Sequence, residues 1–284
     1  MPPTKTTQPF VFVQLSDTHI TPPGELAYGR VDTAAYLARA VDAVRRMTVA
    51  PLAALVTGDL ANHGNPVAYQ RLRELLAPLT CPVYLLPGNH DDRAALRGVF
   101  HDHAYLQAAD PADFVDFEVE LPGLRIVATD TVVAGAAHGA LCADRLGRLE
   151  RRLAARREVP TLVAMHHPPV ASFLDYMDNI GLREGSEALE AIVRRHPQVV
   201  RIACGHLHRC VQAHWAGTVL QTAPSTAHQV WMDLSPGRGD GFGMDPPGFL
   251  VHAWLPGQAL VTHLSFTEEA QGPWPFKGAR ADAH

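Results

Sequence analysis

The segment Phe10-Val-Phe-Val-Gln-Leu-Ser-Asp-Thr-His19 is an apolar run that ends in an aspartate and a histidine. A short run rich in β-branched and aromatic residues predicts a buried β-strand, here Phe10 to Leu15. Asp17 and His19 begin the loop that follows. Because side chains two residues apart in an extended segment point the same way, this carboxylate and this imidazole can bind one cation. Alone the signal is weak, but the chain repeats it.

The same succession of an apolar run and metal-binding side chains occurs at four further places in the chain. These clusters are Gly58-Asp59, Gly88-Asn89-His90, His166-His167-Pro168 and Gly205-His206-Leu-His208. In open α/β sheets, ligands bind at the edge where the carboxyl ends of the strands meet. Taken singly, Asp59 is typical of a cap and Asn89 of a turn. The conjunction of five clusters in a fixed order favours a dinuclear metal site.

Length, composition and charge limit the class of protein. A chain of 284 residues with 47% hydrophobic and 19% charged residues suffices for one large globular domain or two modest ones. The net charge of -5 and the pI near 6.3 argue against nucleic acid polymers and anionic membranes as partners. The four cysteines have no CxxC spacing, so we expect neither a disulfide framework nor a zinc-thiolate site.

The distribution of apolar residues also indicates the cellular compartment of the protein. No run reaches the roughly 18 apolar residues that a membrane span requires. The segment Met1 to Pro9 lacks the apolar core of a signal peptide. A cytoplasmic protein without membrane attachment is therefore the expectation.

Periodicity between the clusters predicts alternating helices and strands, which favours right-handed crossovers in a mostly parallel arrangement. Helices are predicted at 31–47, with Asp32 as N-cap, and at 69–76, 143–157 and 187–195. Buried strands are predicted at 10–15, 52–57, 82–86, 161–165 and 199–204. A further pair, 114–121 and 124–129, is joined in a hairpin by Pro122-Gly123.

The last quarter of the chain changes to short strands, predicted at 211–215, 219–222, 249–254 and 260–266. We expect residues from about 209 to 267 to complete a second sheet and to supply an oligomer or lid region. Residues 1–267 then form a single domain. Residues 268–284 have no apolar periodicity and are predicted to be a flexible tail or an oligomer contact.

The extended motifs resemble those of the calcineurin-like metallophosphoesterase superfamily. They are Leu15-Ser-Asp-Thr-His19, Gly58-Asp-Leu-Ala-Asn62, Pro87-Gly-Asn-His-Asp-Asp92, Met165-His-His-Pro-Pro169 and Cys204-Gly-His-Leu-His208. With Thr226-Ala-His-Gln229, they are similar to the branch of bacterial glycerophosphodiesterases and class III cyclic-nucleotide phosphodiesterases. The resemblance spans nearly the whole chain. It implies an α/β fold, a four-layer α-β-β-α sandwich with two mixed β-sheets and a metal site at the carboxyl ends of the strands.

The resemblance also implies a role for each motif residue. One metal ion is bound by Asp17, His19, Asp59 and His208. The second is bound by Asp59 as a bridge and by Asn89, His166 and His206. The His-x-Pro pattern of the family favours His166 as the ligand, and the doublet keeps His167 as an alternative. Mixed imidazole, carboxylate and carboxamide ligands suit two divalent or trivalent ions of Fe, Mn, Zn or Co.

Two such cations lower the pKa of a shared water, so the expected nucleophile is a metal-bridging hydroxide. Asp59 and His90 are the candidate catalytic residues. His90 adjoins a ligand and can stabilise developing charge or protonate the leaving alkoxide; its ordinary role would be a hydrogen bond that orients a ligand. The candidate substrate-binding residues are Asn89, His90, His228 and Asn62.

The sequence therefore predicts a metal-dependent phosphoric diester hydrolase that acts on 3′,5′-cyclic nucleotides such as cAMP or on glycerophosphodiesters. A phosphomonoesterase is the nearest alternative, but it needs extra cationic groups, and only Arg30 and Arg93 lie beside the early motifs. A non-catalytic binding module should have lost ligands, whereas all seven are present. The resemblance further implies a homo-oligomer, a dimer or larger.

Overall fold

The computed structural model describes residues 9–108, 113–238, 240–272 and 274–276. Its strands are β1 (Phe10–Leu15), β2 (Ala54–Thr57), β3 (Val83–Leu86), β4 (Phe117–Leu121), β5 (Leu124–Ala128), β6 (Gly139–Ala140), β7 (Thr161–Ala164), β8 (Leu182–Glu184), β9 (Val199–Cys204), β10 (Gln212–Trp215), β11 (Thr218–Thr222), β12 (Gln229–Val230), β13 (Phe242–Gly243), β14 (Gly248–Trp254) and β15 (Val261–Phe266). Its helices are α1 (Thr33–Arg45), α2 (Pro66–Leu76), α3 (Arg93–Val99), α4 (Ala143–Ala155), α5 (Asp175–Asn179) and α6 (Ser186–Arg194), with a 3₁₀ turn at Ala104–Leu106.

The first large sheet has five strands in the order β15-β14-β1-β2-β3. Strands β1, β2 and β3 are parallel, and β14 and β15 extend the sheet in antiparallel fashion beyond β1. All four residues of β2 are buried, which agrees with the continuous apolar runs of parallel strands covered on both faces. The three parallel strands therefore carry their carboxyl ends to the same edge.

The second large sheet has six strands in the order β10-β11-β9-β7-β5-β4. The four central strands are parallel, and β4 and β10 are antiparallel at the two margins. The predicted hairpin between β4 and β5 is present, with Gly123 in the left-handed region at φ 73°. This sheet also presents several carboxyl ends at one edge.

Helices cover the outer face of each sheet, and the inner faces pack together. Leu37 of α1 and Tyr69 of α2 belong to the same hydrophobic core as Phe12 and as Ile126 of the second sheet. A separate core places α4 and α6 against the other face of the second sheet, around Val163. The predicted four-layer α-β-β-α architecture with two mixed sheets is confirmed.

The first two helices begin at residues whose side chains cap them. The Asp32 side chain accepts a hydrogen bond from the Ala35 backbone N–H at 3.1 Å, as predicted for the N-cap of α1. Helix α2 begins three residues earlier than predicted because Asn65 caps it and Pro66 occupies its first turn. Among the described helices, none combines the length and apolarity that a bilayer crossing requires.

The prediction that residues 209–267 complete the second sheet is wrong for their second half. Strands β10 and β11 do join the second sheet, but β14 and β15 join the first, where Trp254 lies opposite Phe10. The side of β1 away from β2 offers unpaired backbone groups, and β14 satisfies them. The single-domain boundary stays a prediction. Of the predicted tail, 268–272 and 274–276 contain no helix or strand, and the remainder lies outside the described residues.

The position of β14 is testable by its contribution to stability. Phe249 is 1% exposed within the first core, so Phe249→Ala is expected to lower the free energy of unfolding by about 3 to 5 kcal/mol. Val261 on the edge strand β15 is 47% exposed, and Val261→Ala should cost no more than about 0.5 kcal/mol. Urea denaturation measures both. Equal, small effects would contradict the assignment of β14 to the core.

Candidate metal centre

The predicted clusters lie in loops that leave the carboxyl ends of strands in both sheets. Backbone hydrogen bonds tie these loops together: Asp17 N–H donates to Gly58 O at 3.0 Å, and Gly205 N–H donates to His166 O at 3.1 Å. The His206 backbone N–H, in the loop that follows β9 of the second sheet, donates to the Asp17 carboxylate at 3.0 Å. The five clusters therefore converge where the two sheets meet.

An unusual backbone conformation marks this convergence. Five residues of the predicted ligand set adopt the left-handed region that non-glycine residues seldom occupy. They are Asp17 (φ 52°), His19 (φ 43°), Asp59 (φ 49°), His206 (φ 69°) and His208 (φ 50°). Such conformations cost about 1 to 3 kcal/mol each and persist where surrounding contacts enforce them, commonly at functional sites.

Asp59 occupies the centre of the cluster and faces two imidazoles. Its Oδ2 lies 3.4 Å from His19 Nε2, and its Oδ1 lies 3.4 Å from His166 Nε2. The preceding Gly58, at φ 97°, allows the approach because a Cβ there would collide with the His166 ring. Each carboxylate oxygen thus points to a different group of ligands, which is the arrangement that a bridging carboxylate requires.

The group on the Oδ2 side has donor atoms that fit a cation. The donor atoms of Asp17, His19, Asp59 and His208 all lie within 4.8 Å of one another, and all four side chains are buried. The Nε2 atoms of His19 and His208 are 3.0 Å apart, and His208 Nε2 is 3.5 Å from Asp17 Oδ1. Carboxylate and imidazole donors of this kind suit Fe, Mn, Zn or Co.

The group on the Oδ1 side contains an amide oxygen between two imidazoles. Asn89 Oδ1 lies 3.2 Å from His166 Nε2 and 3.1 Å from His206 Nδ1. His206 Nε2 is buried, and none of the described residues gives it a hydrogen-bond partner. The structure therefore brings all seven predicted ligand residues together in two groups that share Asp59.

The ring nitrogens distinguish His166 from His167. His166 Nδ1 donates to Thr57 O at 2.7 Å, which leaves Nε2 directed at Asp59. In His167, Nδ1 is 2.8 Å from Thr131 Oγ1 and Nε2 is 3.2 Å from Ala137 O. Although His167 lies close enough to His166 and His206 to form a possible metal-binding trio, both of its nitrogens already have protein partners. The geometry favours His166.

The non-ligand histidines occupy different places around the centre. His90 Nδ1 donates to Asn62 O at 2.8 Å, and its backbone N–H donates to Asp59 Oδ1 at 3.0 Å. His228 is buried, with its ring centroid 5.2 Å from that of His19. Both histidines line the cleft above the centre. Asn62, predicted to bind substrate, is not among the described residues that line this cleft, and its carbonyl accepts the hydrogen bond from His90 Nδ1.

The sequence matches a known protein family over most of its length. The model of the calcineurin-like phosphoesterase family matches residues 10–210. The chain belongs to this family. The glycerophosphodiester phosphodiesterase GpdQ of Enterobacter lignolyticus is 32% identical over 269 residues, covering 94% of each chain. A cAMP/cGMP dual specificity phosphodiesterase of Mycobacterium tuberculosis is 34% identical over 90% of this chain and 83% of that protein.

Solved structures give the same fold. A dimetal phosphatase from Danio rerio superposes with a TM-score of 0.66, covering 92% of this chain and 97% of that one, at 16% sequence identity. At this identity the likeness concerns the architecture alone. This calcineurin-like phosphoesterase therefore combines the family's sequence motifs, the fold and a buried cluster of residues that could hold divalent metal ions.

The pKa values of two buried carboxyl groups of this phosphoesterase are shifted in opposite directions, because their neighbours differ. Burial, reinforced by Asp59 and opposed by His166, raises the pKa of Asp17 to about 7. Burial acts on Asp59 in the same way, but His166, His90 and His19 outweigh it and hold the pKa of Asp59 well below its usual range. Burial disfavours the His166 imidazolium, yet Asp59 raises the pKa of His166 to about 9. The cluster thus favours additional positive charge beside Asp17.

Asp91 and Asp92 hold the loops in place. Asp92 caps α3 through the Ala95 N–H at 2.7 Å. The buried Asp91 carboxylate accepts four hydrogen bonds of 2.8 to 3.0 Å from the two ligand loops and α2. The donors are the Leu60, Ala61 and Gly88 backbone N–H groups and the Tyr69 hydroxyl. Asp91 therefore links the Asp59 loop to the Asn89 loop.

The wall of the cleft contains residues that sequence reasoning missed. Tyr28, Tyr176 and Phe242 line it together with the histidines. The Tyr28 ring centroid lies 5.0 Å from Phe242 and 5.1 Å from His228, and Tyr28 is in the left-handed region at φ 53°. Gly29, a residue that favours turns, was the available signal in the sequence, whereas the positive φ of Tyr28, which is uncommon for a bulky residue, is visible only in the structure.

Removal of the Asp17 charge should affect the stability of the metal-free protein and its binding of metal in different ways. The folded-state pKa is raised from 3.8 to about 7, so the ionised carboxyl destabilises the metal-free fold increasingly over that pH range. At pH 8, metal-free Asp17→Asn is expected to melt no lower than the metal-free wild type, while Mn²⁺ should raise its Tm less. Differential scanning fluorimetry with chelator or Mn²⁺ measures both.

The exposed Asp240, at the mouth of the cleft, provides the matched control. Asp240→Asn should leave both Tm values unchanged. An Asp17→Asn protein with a full Mn²⁺ response would remove Asp17 from the ligand set.

Proposed function

We propose that the chain is a dinuclear-metal-dependent phosphodiesterase that hydrolyses small phosphodiesters. The observation that carries the proposal is the position of Asp59, whose two oxygens face separate groups of donors, each 3.4 Å away at the nearest imidazole. The phosphodiesterase relatives, which are similar over most of the chain, support the same reaction. The reaction class is hydrolysis of a phosphoric diester.

The proposed ligands of one ion are Asp17, His19, Asp59 and His208, and those of the other are Asp59, Asn89, His166 and His206. Two ions of Fe, Mn, Zn or Co would supply the positive charge that activates water and neutralises phosphate oxygens. Within the described cluster, the buried carboxylates and imidazoles, whose donor atoms lie within 4.8 Å of one another in each candidate group, fit such ions. A protein nucleophile is not part of the proposal.

His90 is the proposed general acid. Its Nδ1–H donates to the Asn62 carbonyl, so Nε2 is the nitrogen available to substrate. Burial lowers the pKa of His90, but Asp59, the Asn62 carbonyl and Asp91 outweigh this effect and raise it above the ordinary value. During hydrolysis, the attacking water loses one proton to solvent as its oxygen bonds to phosphorus, the bond to the leaving oxygen breaks, and His90 Nε2 transfers its proton to that oxygen. His90 then regains a proton from solvent.

The substrate preference follows from charge and from the cleft wall. Among the described lining residues there is neither Lys nor Arg. A phosphodiester has one negative charge and a monoester has up to two, so this cleft favours the diester. Asn89 and His228 are proposed to bind its phosphate group from the cleft wall. Tyr28 and Phe242 offer an apolar surface to the organic substituent. Cyclic nucleotides and glycerophosphodiesters, the substrates that the relatives' names specify, are the proposed classes.

A metal-reconstituted assay tests this preference. With Mn²⁺, we expect cyclic AMP, glycerophosphocholine or bis(p-nitrophenyl) phosphate to be hydrolysed with a higher kcat/KM than p-nitrophenyl phosphate. Asp59→Ala, which removes the bridge, should abolish turnover of every substrate. Retained turnover in Asp59→Ala would exclude the proposed centre, and a higher kcat/KM for the monoester would reverse the substrate assignment.

The role of His90 predicts a loss in the chemical step. His90→Ala should lower kcat by about 10²- to 10⁴-fold, the usual contribution of general acid catalysis, with a much smaller change in Mn²⁺ affinity. His101, an exposed histidine, supplies the control, and His101→Ala should keep wild-type kinetics. Steady-state kinetics and calorimetric Mn²⁺ titration distinguish the two variants. Equal kcat values would remove His90 from the mechanism.

A homo-oligomeric state, dimer or larger, and a cytoplasmic location complete the proposal. Both come from the sequence. Size-exclusion chromatography with light scattering tests the oligomeric state directly.

A further inference from the structure

A series of hydrogen-bonded polar side chains lies between the two large sheets, beneath the metal centre. Gln14, Ser16, Thr57 and His252 each have 0% exposure, in a region where the neighbouring residues form a hydrophobic core. Burying polar groups is unfavourable unless each finds a hydrogen-bond partner. Four such side chains in one inter-sheet layer therefore call for a physical reason.

Gln14 is at the centre of this series of polar side chains. Both the nitrogen and the oxygen of its side-chain amide have hydrogen-bond partners. Its Nε2 donates to Thr57 Oγ1 at 3.0 Å and to Cys204 O at 2.9 Å. Its Oε1 lies 3.2 Å from His252 Nε2. Thr57 belongs to β2 of the first sheet and Cys204 to β9 of the second. One side chain on β1 thus connects three strands across the interface between the sheets.

Those three strands are the ones that lead into the ligand loops. Gln14 precedes Asp17 by three residues, Thr57 precedes Asp59 by two, and Cys204 precedes His206 by two. A displacement of any of these strands would therefore move a ligand residue by a comparable distance. The Gln14 amide fixes the separation of the strands directly before the ligand positions.

Thr57 carries the connection further toward the ligands. Its Oγ1 donates to Ser16 Oγ at 2.8 Å, next to Asp17 in the chain. Its carbonyl accepts from His166 Nδ1 at 2.7 Å and so directs His166 Nε2 toward Asp59. Hydrogen bonds of this kind to metal-binding histidines fix the ring orientation and the tautomer.

His252 determines which way the Gln14 amide faces. Its ring stacks on Phe12, with centroids 4.6 Å apart, and its Nδ1 lies 2.9 Å from Thr262 Oγ1. With Nδ1 accepting from the threonine hydroxyl, Nε2–H donates to Gln14 Oε1 and the amide NH₂ is directed at Thr57 and Cys204. Burial, assisted by Arg201, lowers the pKa of His252 to about 3, so the neutral tautomer persists at neutral pH.

We propose that Gln14, oriented by His252, is a positioning residue that holds the ligand loops of the two sheets at the separation that metal binding requires. This inference rests on the proposed function, because it gives this series of polar side chains a role in supporting the proposed metal centre. Neither residue touches the substrate or the cleft. If the proposal holds, a substitution that removes these hydrogen bonds lowers the metal affinity by more than its loss of stability alone would.

The test uses three variants of the full chain. Gln14→Leu and His252→Phe remove the hydrogen bonds with little change in volume, whereas His252→Gln retains an amide donor for Gln14 Oε1. Isothermal titration of metal-free protein with Mn²⁺ is expected to show affinity reduced about 10- to 100-fold in the first two and near-wild-type affinity in His252→Gln. The same order should appear in the Mn²⁺-induced rise in Tm.

Gln198→Leu is the control for a structural loss. The Gln198 amide donates to Leu153 O at 2.9 Å, away from the cluster, so this variant should lower Tm and keep wild-type Mn²⁺ affinity. If Gln14→Leu behaves like Gln198→Leu, the positioning role is overturned. Should Gln14→Leu fail to fold, equal affinities in His252→Phe and His252→Gln overturn it as well. A wild-type protein that binds no Mn²⁺ would instead refute the proposed function and, with it, this inference.

Discussion

The pKa of Asp59 is held well below its usual range although the residue is only 2% exposed, and the architecture of the centre depends on the contacts that favour this carboxylate. A carboxylate removed from water is strongly destabilised unless positive charge and hydrogen bonds replace the solvent. Here the imidazoles of His19 and His166 lie 3.4 Å from its two oxygens, and the His90 backbone N–H donates to Oδ1. The partners come from β1, β7 and β3, so both sheets must be assembled before Asp59 is stabilised.

The centre consequently requires backbone conformations that non-glycine residues disfavour. Asp17, His206 and His208 hold left-handed conformations, as do His19 and Asp59. Hydrogen bonds between the loops, together with core burial in both sheets, offset this strain. Because the strain is confined to the carboxyl ends of parallel strands, the regular strands behind remain unstrained, and the ligand loops gain the close approach that a shared carboxylate requires.

The order of strands and clusters was predictable because buried parallel strands are continuous apolar runs and the ligands follow each run directly. The sheet assignment of β14 was not, since an apolar strand does not specify which free edge it will pair with. Asn62 was predicted to bind substrate from its position after a motif, but such a position does not give the direction of the side chain, and Asn62 is not among the described residues that line the cleft. Tyr28 was missed for a related reason: it lies in an irregular loop, where residues distant in sequence meet without a periodic signal.

The cleft has a polar floor and a largely aromatic wall. This difference explains why the residues of the floor could be predicted from the sequence and those of the wall could not. The floor must satisfy a charge requirement that few residue types meet, so Asp, Asn and His at fixed places identify it. The wall, formed by side chains such as Tyr28 and Phe242, needs only shape and apolar area, which many sequences provide. The reaction is thus encoded by residue identity, whereas the choice among diesters is encoded by loop conformation. A change in the Tyr28 turn would alter the substituent accepted while leaving the Asp59 centre intact.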